Sequence, residues 1–308
     1  MNENFKIGHY TDTKNKTGCT VILCPSETVA SCYIAGSSPG SRELALLSPE
    51  RKIQHIHAIF LTGGSAFGLN AAAGVVDYLE EINTGYVTPH AVIPLVPAAV
   101  IYDLNYGSNK MRPVPENAYD ACKNATENFS KTGSVGAGSG ATVGKWTGLQ
   151  NSMTGGIGFS EITFDNIWVK AVCVVNAVGD IIDDTGQIIA GAVDENNQFI
   201  AKKNQHIRWK PAHDGFGQNT VLSVIMTNGK ISKMQAFLVA KRAQNGLARS
   251  ILPANTSYDG DVIFTLARGE SIIDFDLLCE MSAEALRQSI IKSVEKSIPV
   301  KMHENNKK

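Results

Sequence analysis

Asn219 and Thr220 stand at the junction of two unlike stretches. Before them runs His213-Asp-Gly-Phe-Gly-Gln218, polar and rich in glycine; after them runs Val221-Leu-Ser-Val-Ile-Met-Thr227, which reads as a core strand. Thr220 is therefore the first residue of that strand. If the Asn219–Thr220 bond were broken, Thr220 would hold a free α-amine beside its own hydroxyl. An α-amine titrates ordinarily at ~7.7–8.0, so about half is neutral near pH 8 and can accept the hydroxyl proton. Threonine paired with its own terminal amine is a recognised route to an activated nucleophile. Taken alone, Asn-Thr before a strand is commonplace and equally marks an ordinary strand entry.

Other chemistries fare worse. Gly133-Ser-Val-Gly-Ala-Gly-Ser-Gly-Ala-Thr-Val-Gly144 invites comparison with a phosphate loop, but Gly144-Lys145 is followed by Trp146 and Ser139 stands where the first glycine belongs. The run reads better as close backbone packing or a backbone-lined pocket. No Gly-x-Ser-x-Gly elbow occurs. Ser65, behind Gly63-Gly64, reads as a helix cap rather than a nucleophile. His55 and His57 alternate on a strand predicted over 55–61 and share a face, without a carboxylate or Cys at ligand spacing. His9, His90, His206, His213 and His303 are scattered. Nothing calls for a metal or an organic cofactor.

Composition narrows the class. The 308 residues are 43% apolar, with 28 Lys plus Arg against 29 Asp plus Glu and a formal net charge of -1. Binding nucleic-acid phosphates needs a basic surplus, so that partner is not expected. No apolar run reaches the ~18–20 residues of a spanning helix, and no secretory h-region follows Met1. The six cysteines, at 19, 24, 32, 122, 173 and 279, lie in apolar surroundings and read as buried thiols of a cytoplasmic protein. Glycine is in excess, 28 residues, roughly 9% against a usual ~7%.

No linker or repeat interrupts the chain, which reads as one domain over 1–308 with a frayed tail at 304–308. Strands are predicted over 18–23, 55–61, 168–178, 220–227 and 261–266, with a hairpin over 181–189. Helices are predicted from Ser65 to about Ile82, from a Ser232 cap to before Pro253, and over 282–297. The second should bury Phe237, Leu238 and Leu247, the third Leu286, Ile290, Ile291 and Val294. Strands and helices interleave without regular βα alternation, which favours a layered α+β sandwich.

Five segments, in order, carry a resemblance. They are Thr62-Gly-Gly-Ser-Ala-Phe-Gly-Leu69, Pro97-Ala-Ala-Val-Ile-Tyr-Asp103, Gly136-Ala-Gly-Ser-Gly-Ala-Thr-Val-Gly-Lys145, Gln218-Asn-Thr220 and Tyr258-Asp-Gly-Asp-Val-Ile-Phe264. Together they resemble the L-aminopeptidase/D-amidase-esterase (β-aminopeptidase) family, particularly its nylon-oligomer endohydrolase branch, over roughly residues 8 to 268. The resemblance implies a four-layer αββα sandwich of N-terminal-nucleophile type. It also implies a precursor cut between Asn219 and Thr220, giving chains 1–219 and 220–308.

The same resemblance makes Thr220 the nucleophile, matches Asp259 and Asp261 to carboxylates contacting it, and matches Asn176 to an oxyanion donor. Lys145 and Tyr102 match a basic and a phenolic site residue. Other members carry Ser-Gly-Glu where this chain has Asp259-Gly-Asp261, so that pair follows the branch alone. Period-two spacing places both Asp side chains on one face of an extended segment. Asn176 in the apolar run Val174-Val-Asn-Ala-Val178 is an odd residue for a strand, which suits a pre-aimed donor. The implied activity is hydrolysis of short peptides or small amides, nylon oligomers included, by processed heterodimers assembled further. Two alternatives stay open: acyl transfer of the ornithine-acetyltransferase kind, and an inactive binding protein of the same fold.

Overall fold

The structure, a computed structural model, describes residues 4–202 and 219–300. The polar loop 213–218, the tail 304–308 and His206, His213 and His303 lie outside the described residues. Two five-stranded sheets carry the molecule. The first contains β1 (Lys6–Asp12), β2 (Thr17–Leu23), β4 (Ser41–Arg42), β5 (Ala58–Thr62) and β6 (Ala98–Val100), in the order β1-β2-β5-β6-β4. The second contains β3 (Val29–Ile34), β7 (Gly156–Phe164), β8 (Ile167–Asn176), β9 (Thr220–Gly229) and β10 (Val262–Ser271), in the order β7-β8-β9-β10-β3. Pairing is antiparallel except for β5 with β6 and β9 with β10.

Alternation along the strands sorts residues into three apolar layers. Between the sheets, Ile22, Ile59 and Leu61 of the first meet Val172, Val174, Leu222, Val224, Met226, Val262 and Phe264 of the second. The outer face of the first sheet packs Val21 and Phe60 against α1 (Ala72–Glu81) and α2 (Pro115–Lys123). On the outer face of the second, Ala171, Cys173, Val221 and Ile225 pack under α3 (Lys233–Ala248) and α4 (Phe275–Ser293). This is the αββα sandwich that the resemblance implied. All six cysteines are buried free thiols. Among the described residues no helix is long and apolar enough to cross a membrane.

Some local expectations shift. The strand predicted from His55 starts at Ala58, so the two histidines precede it and line a cavity of about 570 Å³ instead of alternating along a strand. Ser65 does not cap: Gly64 takes the N-cap position, and a 3-10 turn over Ser65–Ala71 precedes α1. The buried Asp103 explains this, since its carboxylate accepts the Gly64 N–H at 2.7 Å and the Thr17 hydroxyl at 2.7 Å. Ser232 does cap α3, its hydroxyl accepting from Gln235 N, but α3 ends at Ala248, before a short strand at Ile251–Leu252. Its buried stripe is Ala236, Val239, Ala240, Ala243 and Leu247, with Phe237 and Leu238 only partly covered. Helix α4 starts earlier than predicted because Asp274 accepts from Leu277 N at 2.9 Å.

Small residues let α4 approach the sheet. A Cβ at Gly158 of β7 would lie 1.8 Å from the Ser289 carbonyl oxygen of α4. Gly158→Ala should therefore destabilise the fold by about 1–3 kcal/mol, read as a lower urea midpoint. An unchanged midpoint would mean that α4 is free to slide.

Candidate active site

The last residue of β8 and the first of β9 are register partners, Asn176 opposite Thr220. Parity places both on the inter-sheet face, Asn176 with Val172 and Val174, Thr220 with Leu222 and Val224. The parallel ladder of β9 with β10 continues one step beyond the strands, as a bridge between Asn219 and Asp259. In it Asn219 N donates to the Tyr258 carbonyl at 3.3 Å, and Gly260 N donates to the Asn219 carbonyl at 2.8 Å. The Thr220 hydroxyl donates to that same carbonyl oxygen at 2.5 Å. The carbonyl joining Asn219 to Thr220 thus accepts from two donors, and both residues are buried.

Lys145 approaches from a 3-10 turn (Lys145–Thr147) that follows Gly144, a residue with φ of 73°. Its ammonium donates to the Asn176 carbonyl at 3.1 Å and to Asn176 Oδ1 at 2.8 Å. Thr142 N donates to the same Oδ1 at 3.1 Å, while Asn176 Nδ2 donates to the Tyr102 carbonyl at 3.1 Å. Burial pushes Lys145 down to about 7, against the opposing pull of the Asp259 charge.

The carboxylates line the other face. Asp259 and Asp261 lie together with Val221 and Leu247 on the helix side of the sheet, as period-two spacing predicts. Asp261 Oδ1 accepts the Val221 N–H at 2.7 Å and Asp259 Oδ2 accepts the Thr256 N–H at 2.6 Å. Burial raises both above the ordinary carboxylate range, and the Asp259 charge raises Asp261 further. Two like charges this close favour holding one proton between them.

Thr220, Asn219, Asn176, Lys145, Asp259 and Asp261 therefore form one buried cluster. Three details differ from expectation. Asp261 holds the Val221 N–H beside the junction and Asp259 the Thr256 N–H of its own loop, while the Thr220 hydroxyl faces Gly260, where a Cβ would lie 3.0 Å from Oγ1. Tyr102 is tied to the cluster through its carbonyl, not its hydroxyl. One N–H of Asn176 is committed to that carbonyl. Sequence reasoning passed over Thr142 and Gly260. Gly260 stood in plain view inside Asp-Gly-Asp, but a glycine between two aspartates reads first as a turn.

The model of peptidase family S58 matches residues 3–307. The chain belongs to peptidase family S58. Among S58 relatives, an uncharacterised aminopeptidase of Mycobacterium leprae is 38% identical over 289 residues, covering 87% of this chain and 75% of that protein. A 6-aminohexanoate-oligomer endohydrolase of Paenarthrobacter ureafaciens is 30% identical over 275 residues, covering 85% and 72%. A β-aminopeptidase of Burkholderia sp. shares the fold with a TM-score of 0.70 at 17% identity, over 94% of this chain and 84% of that one. The L-aminopeptidase D-Ala-esterase/amidase of Ochrobactrum anthropi, described as a new variant among the Ntn hydrolase fold, gives 0.72 at 15% identity over the same shares. An S58 chain with this fold is an amide hydrolase.

Proposed function

We propose that this S58 hydrolase is made as a precursor that cuts itself between Asn219 and Thr220, and that Thr220 is then its nucleophile. One observation carries the reading: the Thr220 hydroxyl donates at 2.5 Å to the carbonyl oxygen of its own preceding residue, at a buried junction. A buried hydroxyl held against the carbonyl it would attack, with Lys145 anchored on Asn176 opposite Thr220, suits intramolecular acyl transfer.

In maturation, Oγ of Thr220 bonds to the Asn219 carbonyl carbon and its proton passes to a base of the cluster. The C–N bond then breaks, and the Thr220 nitrogen takes a proton. Water hydrolyses the resulting ester, leaving the Asn219 carboxylate and a free α-amine on Thr220. In turnover the same Oγ attacks a substrate amide, the amine product leaves, and water resolves the acyl-enzyme. Lys145 anchors Asn176, and the aspartates hold the new terminus. Asn176 and Tyr102 border the place a substrate acyl group would take.

The substrate class is a short peptide or small amide. The names of the relatives, aminopeptidase and 6-aminohexanoate-oligomer endohydrolase, support that range. Six buried thiols support a reducing, cytoplasmic setting. We place the mature enzyme as a single domain of two chains, 1–219 and 220–308, assembled into a homo-oligomer of such pairs.

Mass spectrometry of the purified protein tests the cut: fragments of 219 and 89 residues are expected, the second beginning Thr-Val-Leu-Ser. A chain that hydrolyses amides while remaining whole would overturn the reading. Adding an amino-acid acceptor to the assay separates hydrolysis from acyl transfer. Hydrolysis predicts free acid as the main product; transfer predicts the acceptor's amide.

The pH dependence should follow Lys145. Burial lowers its pKa to about 7, so its neutral, proton-accepting form grows as pH rises through 7. Self-cleavage should accelerate about tenfold from pH 6 to pH 7.5. Lys145→Met should slow it by about 10²–10³-fold and flatten that rise. Time courses on freshly refolded precursor give both numbers.

A further inference from the structure

Resting on the reading of Thr220 as the self-cleaving nucleophile, we infer that the main-chain N–H of Gly260 is the oxyanion donor of the cleavage step. When Oγ of Thr220 bonds to the Asn219 carbon, the carbonyl π pair moves onto the Asn219 oxygen. That oxygen already accepts from Gly260 N at 2.8 Å, inside the ~2.7–3.1 Å range an oxyanion donor needs. Collapse of the intermediate returns the pair to the carbonyl and expels the Thr220 nitrogen, which leaves protonated. The donor is thus engaged at the start and tightens as charge develops.

The N–H is also fixed in place. On one side of it Ser38 N donates to the Asp259 carbonyl at 3.0 Å. On the other, Ala35 N and Gly36 N donate to the Asp261 carbonyl at 2.9 and 3.1 Å, and Asp261 Oδ1 accepts from Val221 N at 2.7 Å. A donor held by its neighbours needs no reorganisation when the negative charge appears. The expected side-chain alternative, Asn176, spends an amide N–H on the Tyr102 carbonyl. One of its two N–H groups is thus committed, and its Oδ1 and carbonyl link Lys145 to the strand opposite Thr220.

The glycine at this position has its own explanation. A Cβ at 260 would lie 2.6 Å from the Ser38 carbonyl oxygen and 3.0 Å from Thr220 Oγ1. Only a residue without a side chain lets the main chain lie against both the nucleophile and the scissile carbonyl. Burial raises both flanking aspartates toward their neutral forms, which limits their repulsion of a negative charge on that oxygen.

Removing one N–H while keeping the backbone tests the inference. Glycolic acid placed at position 260 by cell-free translation replaces the amide with an ester. Loss of one oxyanion donor should slow self-cleavage by about 10²–10³-fold. The same replacement at Gly36, whose N–H also serves the segment but does not touch the scissile carbonyl, should slow it less than tenfold. Cleavage by the 260 ester within tenfold of the unmodified chain, or equal losses at 36 and 260, would overturn the proposal.

Thr220→Ala, translated alongside, separates the two levels: if it is still cut, the nucleophile assignment itself fails. Should the ester at 260 prevent folding, hydrogen exchange gives the answer. The Gly260 amide should exchange at least tenfold faster in the cut protein than in uncut Thr220→Ala; equal protection would overturn the inference.

Discussion

Thr220→Ala should leave the chain whole and remove amide hydrolysis, a loss on the order of 10⁴–10⁶ in rate. The scale is that of deleting the nucleophile from a covalent hydrolase. The structure offers no substitute at that position. Cys173 bonds with Ser223, and burial raises its thiol to about 12. Ser65 stands in a 3-10 turn of the other sheet's connections, held there by the Asp103 network. Folding should survive the change. Thr220 sits at a strand end whose ladder is made by main chain, and among the described residues its hydroxyl bonds only to its own preceding carbonyl. The thermal midpoint should therefore shift by no more than the few degrees that about 1 kcal/mol produces. Thr220→Ser retains the hydroxyl and should still cut, within about tenfold of the natural rate. A denaturing gel, an amide assay and a melt on the three proteins check all of this. Cleavage of the Ala variant at the same bond is the outcome that ends the argument.

Asp261→Asn should move activity and stability in opposite directions. Its carboxylate accepts the Val221 N–H immediately after the nucleophile and is buried beside a second carboxylate. Asn can still accept that hydrogen bond through its carbonyl, so the local backbone stays in place. What disappears is the charge that would hold the new Thr220 ammonium after the cut and steer its proton. Hydrolysis should fall by about 10²–10³-fold, and self-cleavage by a comparable amount.

Stability should improve, because removing a charge from a buried like-charge pair relieves its desolvation and repulsion. The sign of the pH dependence follows from the raised pKa. A carboxyl that titrates higher in the folded than in the unfolded chain binds its proton more tightly when folded. Stability from this group is full below the ordinary carboxylate range and is lost as pH rises through the raised value. Urea midpoints of uncut Thr220→Ala should thus decline with pH above about 4, and the decline should be shallower when Asp261→Asn is added. A steeper decline in the double variant would remove Asp261 from this account.

The layers of the fold were largely legible because apolar periodicity reports which faces are covered. The runs at 168–178 and 220–227 read as strands covered on both faces; both are central strands, the first ending at Asn176, two residues short of its apolar run. The stops were less legible. Helix α4 begins at an Asp274 cap ahead of its apolar stripe, and α1 is preceded by a turn that a carboxylate 39 residues away organises. No local pattern announces a partner that distant.

Within the site, Thr220 was visible as a polar residue opening an apolar strand, and Asn176 as an amide closing one. Asp259, Asp261, Lys145 and Tyr102 were reached through the resemblance. Their spacing told which face the aspartates share, but not that the threonine hydroxyl lies on the opposite one. Gly260 escaped because its contribution is a main-chain N–H, which every residue but proline has and no residue type advertises.

The parallel pairing of β9 with β10 has a consequence for the proposed cut. Strand β9 would open the shorter piece, yet it is flanked by β8 from the longer piece and by β10 from its own, with β3 of the longer piece beyond. Helix α4 of the shorter piece also lies across β7 and β8 of the longer one. The second sheet is woven from both halves, like fingers interlaced, and neither half holds it complete, while the first sheet lies wholly in the longer piece. Scission would therefore be a nick rather than a release: dilution should not separate the pieces, and unfolding should part them for good. Such a molecule has to be assembled while still continuous, which makes one gene, one fold and then one cut the only economical order of events.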